Sequence, residues 1–315
     1  LPIGSERNYA VQKLDLELLS GETLCIVGES GSGKSLTARA VMGLLPAPHV
    51  HVEKGSIDFN GEEITTTSFE RLREIRGNEI SMIFQEPMTA LNPVMTIGKQ
   101  IDEIFRYHSQ LSPKERTNKS TQLLSDVHLP DPSRILNAYP HELSGGQRQR
   151  SMIAMALAMD PKILIADEPT TALDVTTQAQ ILKLIKEMQE VHKTGVLFIT
   201  HDFGVVADIA DRVAVMQQGE IMEAGRVDEV LNTPKHPYTH SLLSALPSIK
   251  KGKRKERMIL KGDPPTPIDP PPGCPFADRC SNTQEKCRIE KPVLEPLKKE
   301  SSQLVACFFQ NENVL

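Results

Sequence analysis

The sequence predicts an α/β fold: a mostly parallel sheet flanked by helices, with some antiparallel strands. Three observations carry this. Short apolar runs alternate with helix-period segments, the pattern of a sheet covered on both faces. One run, Thr23–Gly28, feeds a glycine-rich turn that opens a helix, as phosphate-binding loops do. Another, Ile163–Ala166, ends in the carboxylate pair Asp167-Glu168. The expected division is a nucleotide-binding domain over 1–247 with an all-helical insert at about 90–158, a basic, proline-rich linker over 248–272, and a small cysteine-containing module over 273–315.

Each element has its own signal. Tyr9 reads as part of a strand upstream of the glycine loop. After the loop, a helix from about Lys34 to Leu45 is stopped by Pro46 and Pro48. Gly55–Thr65 is patterned as a hairpin about Asn60-Gly61. Ile80–Phe84 is a buried strand with Gln85 at its end, and Val94–Tyr107 is helical in period. Ser112 caps the next helix, Pro113 suits its first turn, and Glu115 completes a capping box. A helix from about Gly146 to Met159 is ended by Pro161. Asp174 caps an amphipathic helix that carries Ile181, Leu184, Ile185, Met188 and Val191 on one face and ends at Gly195. Val196–Thr200 is a buried strand, followed by His201. Lys250–Arg257 is a basic run, read as a solvated tether ahead of a contact with anionic lipid.

Composition narrows the class. The chain has 315 residues, 39% hydrophobic and 24% charged, enough for one large domain and an appendage. A net charge of −5 gives no reason to expect nucleic-acid binding. The apolar stretch Met152–Met159 falls far short of the roughly 20 residues that span a bilayer. Leu1–Ala10 is polar, so no signal peptide is expected, and a native N-terminus ahead of Leu1 is. A reducing compartment follows, which argues against disulfides among the five cysteines. Cys25 reads as a core residue.

The motifs predict phosphate-binding and hydrolytic chemistry. Gly28-Glu29-Ser30-Gly31-Ser32-Gly33-Lys34-Ser35 would cradle phosphates with its backbone N–H groups and the N-terminus of the following helix. Lys34 would reach the β- and γ-phosphates, and Ser35 would ligate Mg²⁺. Asp167 would hold Mg²⁺ through water, and Glu168 is the candidate general base. As an alternative, the carboxylate pair could cap a helix; Pro169 argues against it by driving Glu168 out of the α region. Gln85 can touch both Mg²⁺ and the attacking water, and His201 can contact the γ-phosphate. Either residue alone would more often be structural. Leu143-Ser144-Gly145-Gly146-Gln147 precedes a helix and offers a second anion-binding surface. It is too remote from the phosphate loop to share one nucleotide, so it points to ATP bound by a partner chain. Asp174 would lie at the same interface.

These motifs together, over about Gly21 to Gly225, resemble the nucleotide-binding subunit of an ABC transporter. Phe84–Pro93, Pro234–Thr239 with Leu242-Leu243, and Gly273–Cys280 are similar to the bacterial oligopeptide/dipeptide/nickel importer family. The resemblance implies a P-loop ABC ATPase fold and a peripheral subunit on the cytoplasmic face of the inner membrane. It implies as partners a homologous ATPase or a second copy, two permease subunits and an external substrate-binding protein. Peptides are the commonest cargo in the family; nickel, glutathione and sugars occur among relatives. Glu86, Met88 and Leu91 would line a groove for a permease helix. The family's adenine-stacking aromatic would fall near Leu1 by spacing, so no residue is assigned to that role.

Cys274, Cys280, Cys287 and Cys307 are spaced C-x5-C-x6-C-x19-C, which fits neither short zinc pairs nor common ferredoxin runs. By spacing alone, separate buried thiols account for them equally well. Some relatives carry a four-iron cluster on such a tail, which puts a [4Fe-4S] cluster first and zinc second. Phe308 stands where the family often has His. Two rival functions are a non-transport ABC ATPase acting on DNA or ribosomes and a regulatory subunit with dead sites. The interval Ser35–Leu143 has no sustained heptads and the chain has one set of motifs, against the first. Lys34, Asp167, Glu168 and His201 are all present, against the second.

Overall fold

The computed structural model describes residues 9–171, 173–245, 271–298 and 301–309. Leu1, Ala172, the Lys250–Arg257 run and most of the linker lie outside the described residues. Strand β1 (Thr23–Val27) is fully buried and leads through the phosphate loop into helix α1 (Lys34–Val41). That helix ends before the expected prolines: Met42 is its C-cap, and Gly43 takes a left-handed turn at φ +62°. A two-residue hairpin, β2 (Asp58–Phe59) and β3 (Glu62–Glu63), turns at Asn60-Gly61, both at positive φ. Helix α2 (Phe69–Ile75) then leads to β4 (Ile80–Ile83).

The helical insert follows: α3 (Pro87–Ala90), α4 (Ile97–His108), α5 (Pro113–Asp126), α6 (Pro132–Asn137) and α7 (Gly145–Leu157). Helix α4 starts at Ile97, not at Val94, because Thr96 is its N-cap; Val94 stays exposed. Its Ile97, Ile101 and Phe105, four residues apart, form one face with no exposed surface. Each such side chain contributes about 1.5–3 kcal/mol on burial. Helix α5 carries the expected capping box of Ser112 and Glu115.

Strand β5 (Ile163–Asp167), helix α8 (Val175–His192), β6 (Gly195–Thr200), helix α9 (Phe203–Ile209) and β7 (Arg212–Gln217) complete the parallel part of the sheet. Asp174 caps α8 as expected, accepting from Thr177 N–H. Two details of α8 differ from the sequence reading. Lys193, left-handed at φ +56°, ends the helix, and Gly195 instead opens β6. Val191 is 73% exposed, off the buried face formed by Ile181, Leu184 and Ile185. Tyr9 is not in a strand either; it is exposed coil ahead of Ala10 and Val11.

Strand β8 (Glu220–Arg226) runs antiparallel to β7, and α10 (Val227–Asn232) and α11 (Pro237–Ser244) follow. In the tail, α12 (Glu285–Ile289) precedes β9 (Glu295–Pro296) and β10 (Leu304–Val305). Strand β10 pairs with β8, so the tail extends the main sheet. Among the described residues the order is β4-β5-β6-β1-β7-β8-β10-β9. Cys274, Phe276, Ala277 and Cys287 share one core cluster with Val27, Val215 and Tyr238. A segment of this size has little core of its own, and packing on the sheet supplies one.

Candidate nucleotide site

The phosphate loop sits at the C-terminal end of β1, where ligands bind in open α/β sheets. Glycine is required at Gly28, at φ +154°, because a Cβ there would lie 2.0 Å from Met216 O. Gly33, at φ +104°, forms the N-cap of α1, and a Cβ there would meet Val11. Ser32 is buried, and its carbonyl accepts from Gly219 N–H. Ser30 and Gly31 complete the loop, and nothing lies within 4 Å of a Cβ built at Gly31. Lys34 is 5% exposed and donates from Nζ to the carbonyls of Gly28 and Glu29, both at 2.9 Å. Burial lowers the Lys34 pKa, and the charges of Glu168, Asp167 and Glu29 oppose the shift.

Ser35 Oγ donates to Asp167 Oδ1 at 2.9 Å, which joins the loop to the end of β5. Asp167 is buried, and desolvation raises its pKa against the bond from Ser35. Glu168 stands at φ +46°. Glu168 caps no helix, because the next one, α8, begins at Val175 with Asp174 as its N-cap. Glu168 Oε2 accepts from Thr171 Oγ1 at 2.9 Å and Gln85 Nε2 at 3.2 Å, with His201 Nδ1 at 3.4 Å. The structure thus gathers Lys34, Ser35, Gln85, Asp167, Glu168 and His201, which are spread over 168 positions of sequence (34 to 201).

Ser144, Gly145, Gly146 and Gln147 form the start of α7. Ser144 Oγ accepts from Gln147 N–H, and Gln147 Oε1 accepts from Ser144 N–H. Nothing lies within 4 Å of a Cβ built at Gly145, so this helix N-terminus is open. Among the described residues no hydrogen bond or ion pair joins it to the phosphate loop. Val175, beside Asp174, is likewise strongly exposed.

The expected permease groove needs one correction. Glu86 and Met88 are exposed on and beside α3, but Leu91 is 2% exposed and belongs to the core. Thr171 and Gln149 were missed by the sequence reading. Gln149 is buried on α7 and donates from Nε2 to Pro169 O at 2.6 Å. Glu29, Tyr238 and Arg279 also meet at the loop; no local motif signals a contact between residues that far apart.

The tail cysteines converge. Cys274, Cys280, Cys287 and Cys307 line one pocket with Phe276, Phe308 and Phe309, and all are free thiols. Burial pushes the Cys274 thiol up to about 12 and raises Cys280 and Cys307. Among the described residues, no three His, Cys, Asp or Glu side chains are placed to hold a single metal ion. No helix among them is long and apolar enough to cross a membrane.

Comparison with known proteins agrees with this geometry. Residues 11–171 match the family described as ABC transporter, and 222–287 match the oligopeptide/dipeptide transporter C-terminal region. The oligopeptide transport ATP-binding protein AppD of Bacillus subtilis is 47% identical over 303 residues, 96% of this chain and 92% of that protein. The oligopeptide transport ATP-binding protein OppD of Salmonella typhimurium is 47% identical over 306 residues, 97% of this chain and 90% of its own. A solved dimeric ATP-binding cassette in a post-hydrolysis state, bound to ADP and Pi, superposes with a TM-score of 0.63 at 30% identity. That match covers 70% of this chain and 91% of the other.

Proposed function

The chain belongs to the ATP-binding subunits of ABC transporters, in their oligopeptide/dipeptide group, and from that membership we propose that it powers peptide uptake by hydrolysing ATP at an interface between two such subunits. It is an ATPase of that family. The observation that carries the chemistry is the Glu168 carboxylate, held on one oxygen beside the Ser35–Asp167 pair.

The residue roles follow from this arrangement. The loop N–H groups and the start of α1 receive the phosphates, and Lys34 exchanges its loop carbonyls for phosphate oxygens. Ser35 and Asp167 offer the hard oxygen donors that suit Mg²⁺, with Gln85 beside them. Bound Mg²⁺ would supply neutralisation of charge on the β- and γ-phosphoryl oxygens. Thr171 and Gln85 bond to Oε2 of Glu168, which leaves Oε1 to take the proton of the attacking water. His201 turns Nδ1 toward Glu168 and so has Nε2 free for the γ-phosphate. Ser144, Gly145, Gly146 and Gln147, with Asp174, would close on the partner's nucleotide.

The partners proposed are a homologous ATPase or a second copy, two permeases and an external substrate-binding protein, at the cytoplasmic face of the inner membrane. Peptide cargo rests on the names of the relatives, and nickel or glutathione is the alternative. The unit 1–247 would be the engine, 248–272 a tether and 273–315 a bracing module. The four tail cysteines would hold a [4Fe-4S] cluster. A zinc ion needs four sulfurs about 2.3 Å from one point, whereas these four surround a pocket. Iron and sulfide analysis of anaerobically purified chain tests the cluster; stoichiometric zinc instead would overturn it.

The test of function is to purify the tagged chain from gently solubilised native membranes and identify what accompanies it by mass spectrometry. Two multi-span permeases with a second ATPase, followed by ATP-dependent peptide uptake after reconstitution, is the expected result. A chain bound to ribosomes or DNA overturns the transport reading.

A further inference from the structure

We propose that Arg279, in the cysteine-containing tail, is a positioning residue for the phosphate loop and acts by neutralising and fixing Glu29. Every polar group of Glu29 is engaged, and by different parts of the chain. Its carboxylate accepts two bonds from the Arg279 guanidinium, at 2.7 and 2.8 Å. Its N–H donates to Tyr238 Oη at 3.1 Å, and its carbonyl accepts Lys34 Nζ at 2.9 Å. The Tyr238 and Phe276 rings pack with centroids 5.3 Å apart, and the Arg279 guanidinium lies 5.8 Å from the Phe276 centroid. Arg279, Phe276 and Tyr238 therefore form one block against the loop.

Two physical effects follow, with the same sign. A carboxylate in a loop that must receive a triphosphate repels its ligand unless it is paired. Arg279 supplies that pairing, and its planar fork fixes the orientation of the carboxylate as well. The Arg279 side chain is 6% exposed, and both terminal nitrogens of its guanidinium donate to Glu29, while its buried Nε has no hydrogen-bond partner among the described residues. The second effect is preorganisation: a loop already held at Glu29 loses less freedom when ATP arrives. The tail is thus tied to the ATP site as well as to the sheet.

The test is ATP affinity of the full-length chain, by titration calorimetry with Mg²⁺, for Arg279→Ala, Glu29→Gln and the double variant. Arg279→Ala leaves Glu29 unpaired, and its Kd for ATP is expected to rise on the order of tenfold, the low end of inter-site couplings. Adding Glu29→Gln removes the repulsion and is expected to recover most of that loss, although the packing defect remains. Thermal unfolding without nucleotide separates this from general destabilisation, which would lower the melting temperature and leave the double variant no better. A wild-type Kd in Arg279→Ala, or a double variant as weak as the single one, overturns the proposal. Should Arg279→Ala not fold, Arg279→Gln carries the same comparison, because it removes the charge and the two-pronged contact while keeping most of the length of the side chain.

Discussion

Replacing Glu168 with Gln tests the reading of the catalytic centre most directly. The amide keeps the size of the side chain and an oxygen for the Thr171 hydroxyl, whose bond to Glu168 Oε2 is 2.9 Å. Nothing in the phosphate loop changes: Lys34 still lies against Gly28 and Glu29, and Ser35 still reaches Asp167. What is lost is proton acceptance at Oε1. A positioned general base contributes about 10²–10⁴-fold to rate. At 1.36 kcal/mol per decade this raises the barrier by about 3–5 kcal/mol. ATP affinity should remain at the wild-type value, phosphate release by the reconstituted complex should fall by those two to four decades, and the ATP-bound pair should persist in size-exclusion chromatography. The assay is steady-state phosphate release alongside equilibrium ATP binding. Turnover within about tenfold of wild type would sink Glu168 as the base, because that lies below the smallest effect the role implies.

Three further outcomes are expected. Lys34→Ala should lose ATP affinity, because Lys34 is the one cation within the loop 28–35 and its ammonium, now on the carbonyls of Gly28 and Glu29, would pass to the phosphates; equilibrium dialysis that finds unchanged binding would refute that contact. Ser144→Arg should leave ATP binding by the isolated chain intact while abolishing the ATP-driven pair and turnover, since the start of α7 is open and, among the described residues, no hydrogen bond or ion pair joins it to the chain's own phosphate loop; light scattering with ATP reads this directly. His236 gives a pH dependence. Burial lowers its pKa from 6.5 to about 4, so as pH falls below 6.5 the unfolded state takes up a proton that the folded state refuses. Stability should therefore decline between pH 6.5 and about 4, by about 3 kcal/mol in full. His236→Asn can keep the N-cap acceptor for Tyr238 N–H, and urea titrations should show the dependence flattened relative to wild type. Parallel pH profiles for the two proteins would contradict it.

Much of the fold was legible because its signals are local. A capping box at Ser112 and Glu115, a cap at Asp174 and a two-residue turn at Asn60-Gly61 each need only a few neighbouring residues, and each is present. Errors came where a breaker residue was assigned the boundary. Pro46 and Gly195 lie beyond their helix ends, because Met42 and Lys193 had already terminated them. Leu91 departs from the motif around it: Met88 of the same segment is exposed, whereas Leu91 is 2% exposed and packs in the core. The nucleotide motifs were legible as residue types in order; their convergence on Glu168 Oε2 required the sheet register that places β4, β5 and β6 side by side. The docking of the tail was not legible. Pairing of β10 with β8, and of Arg279 with Glu29 across 250 positions, leaves no periodic trace in either segment.

The conformation of Glu168 connects these observations. A non-glycine residue at φ +46° costs about 1–3 kcal/mol and persists only where its surroundings hold it. Two contacts do so here. Its N–H donates to Ile199 O at 3.0 Å, and the next carbonyl, of Pro169, accepts from buried Gln149 at 2.6 Å. Gln149 lies on α7, the helix that opens with Ser144. In the proposed pairing, the N-terminus of α7 meets the partner's ATP while Gln149, in its second turn, steadies the backbone that carries this chain's own base. A helix transmits displacement along its axis with little internal change, so closure on the partner's nucleotide would set the geometry of the base at the other site.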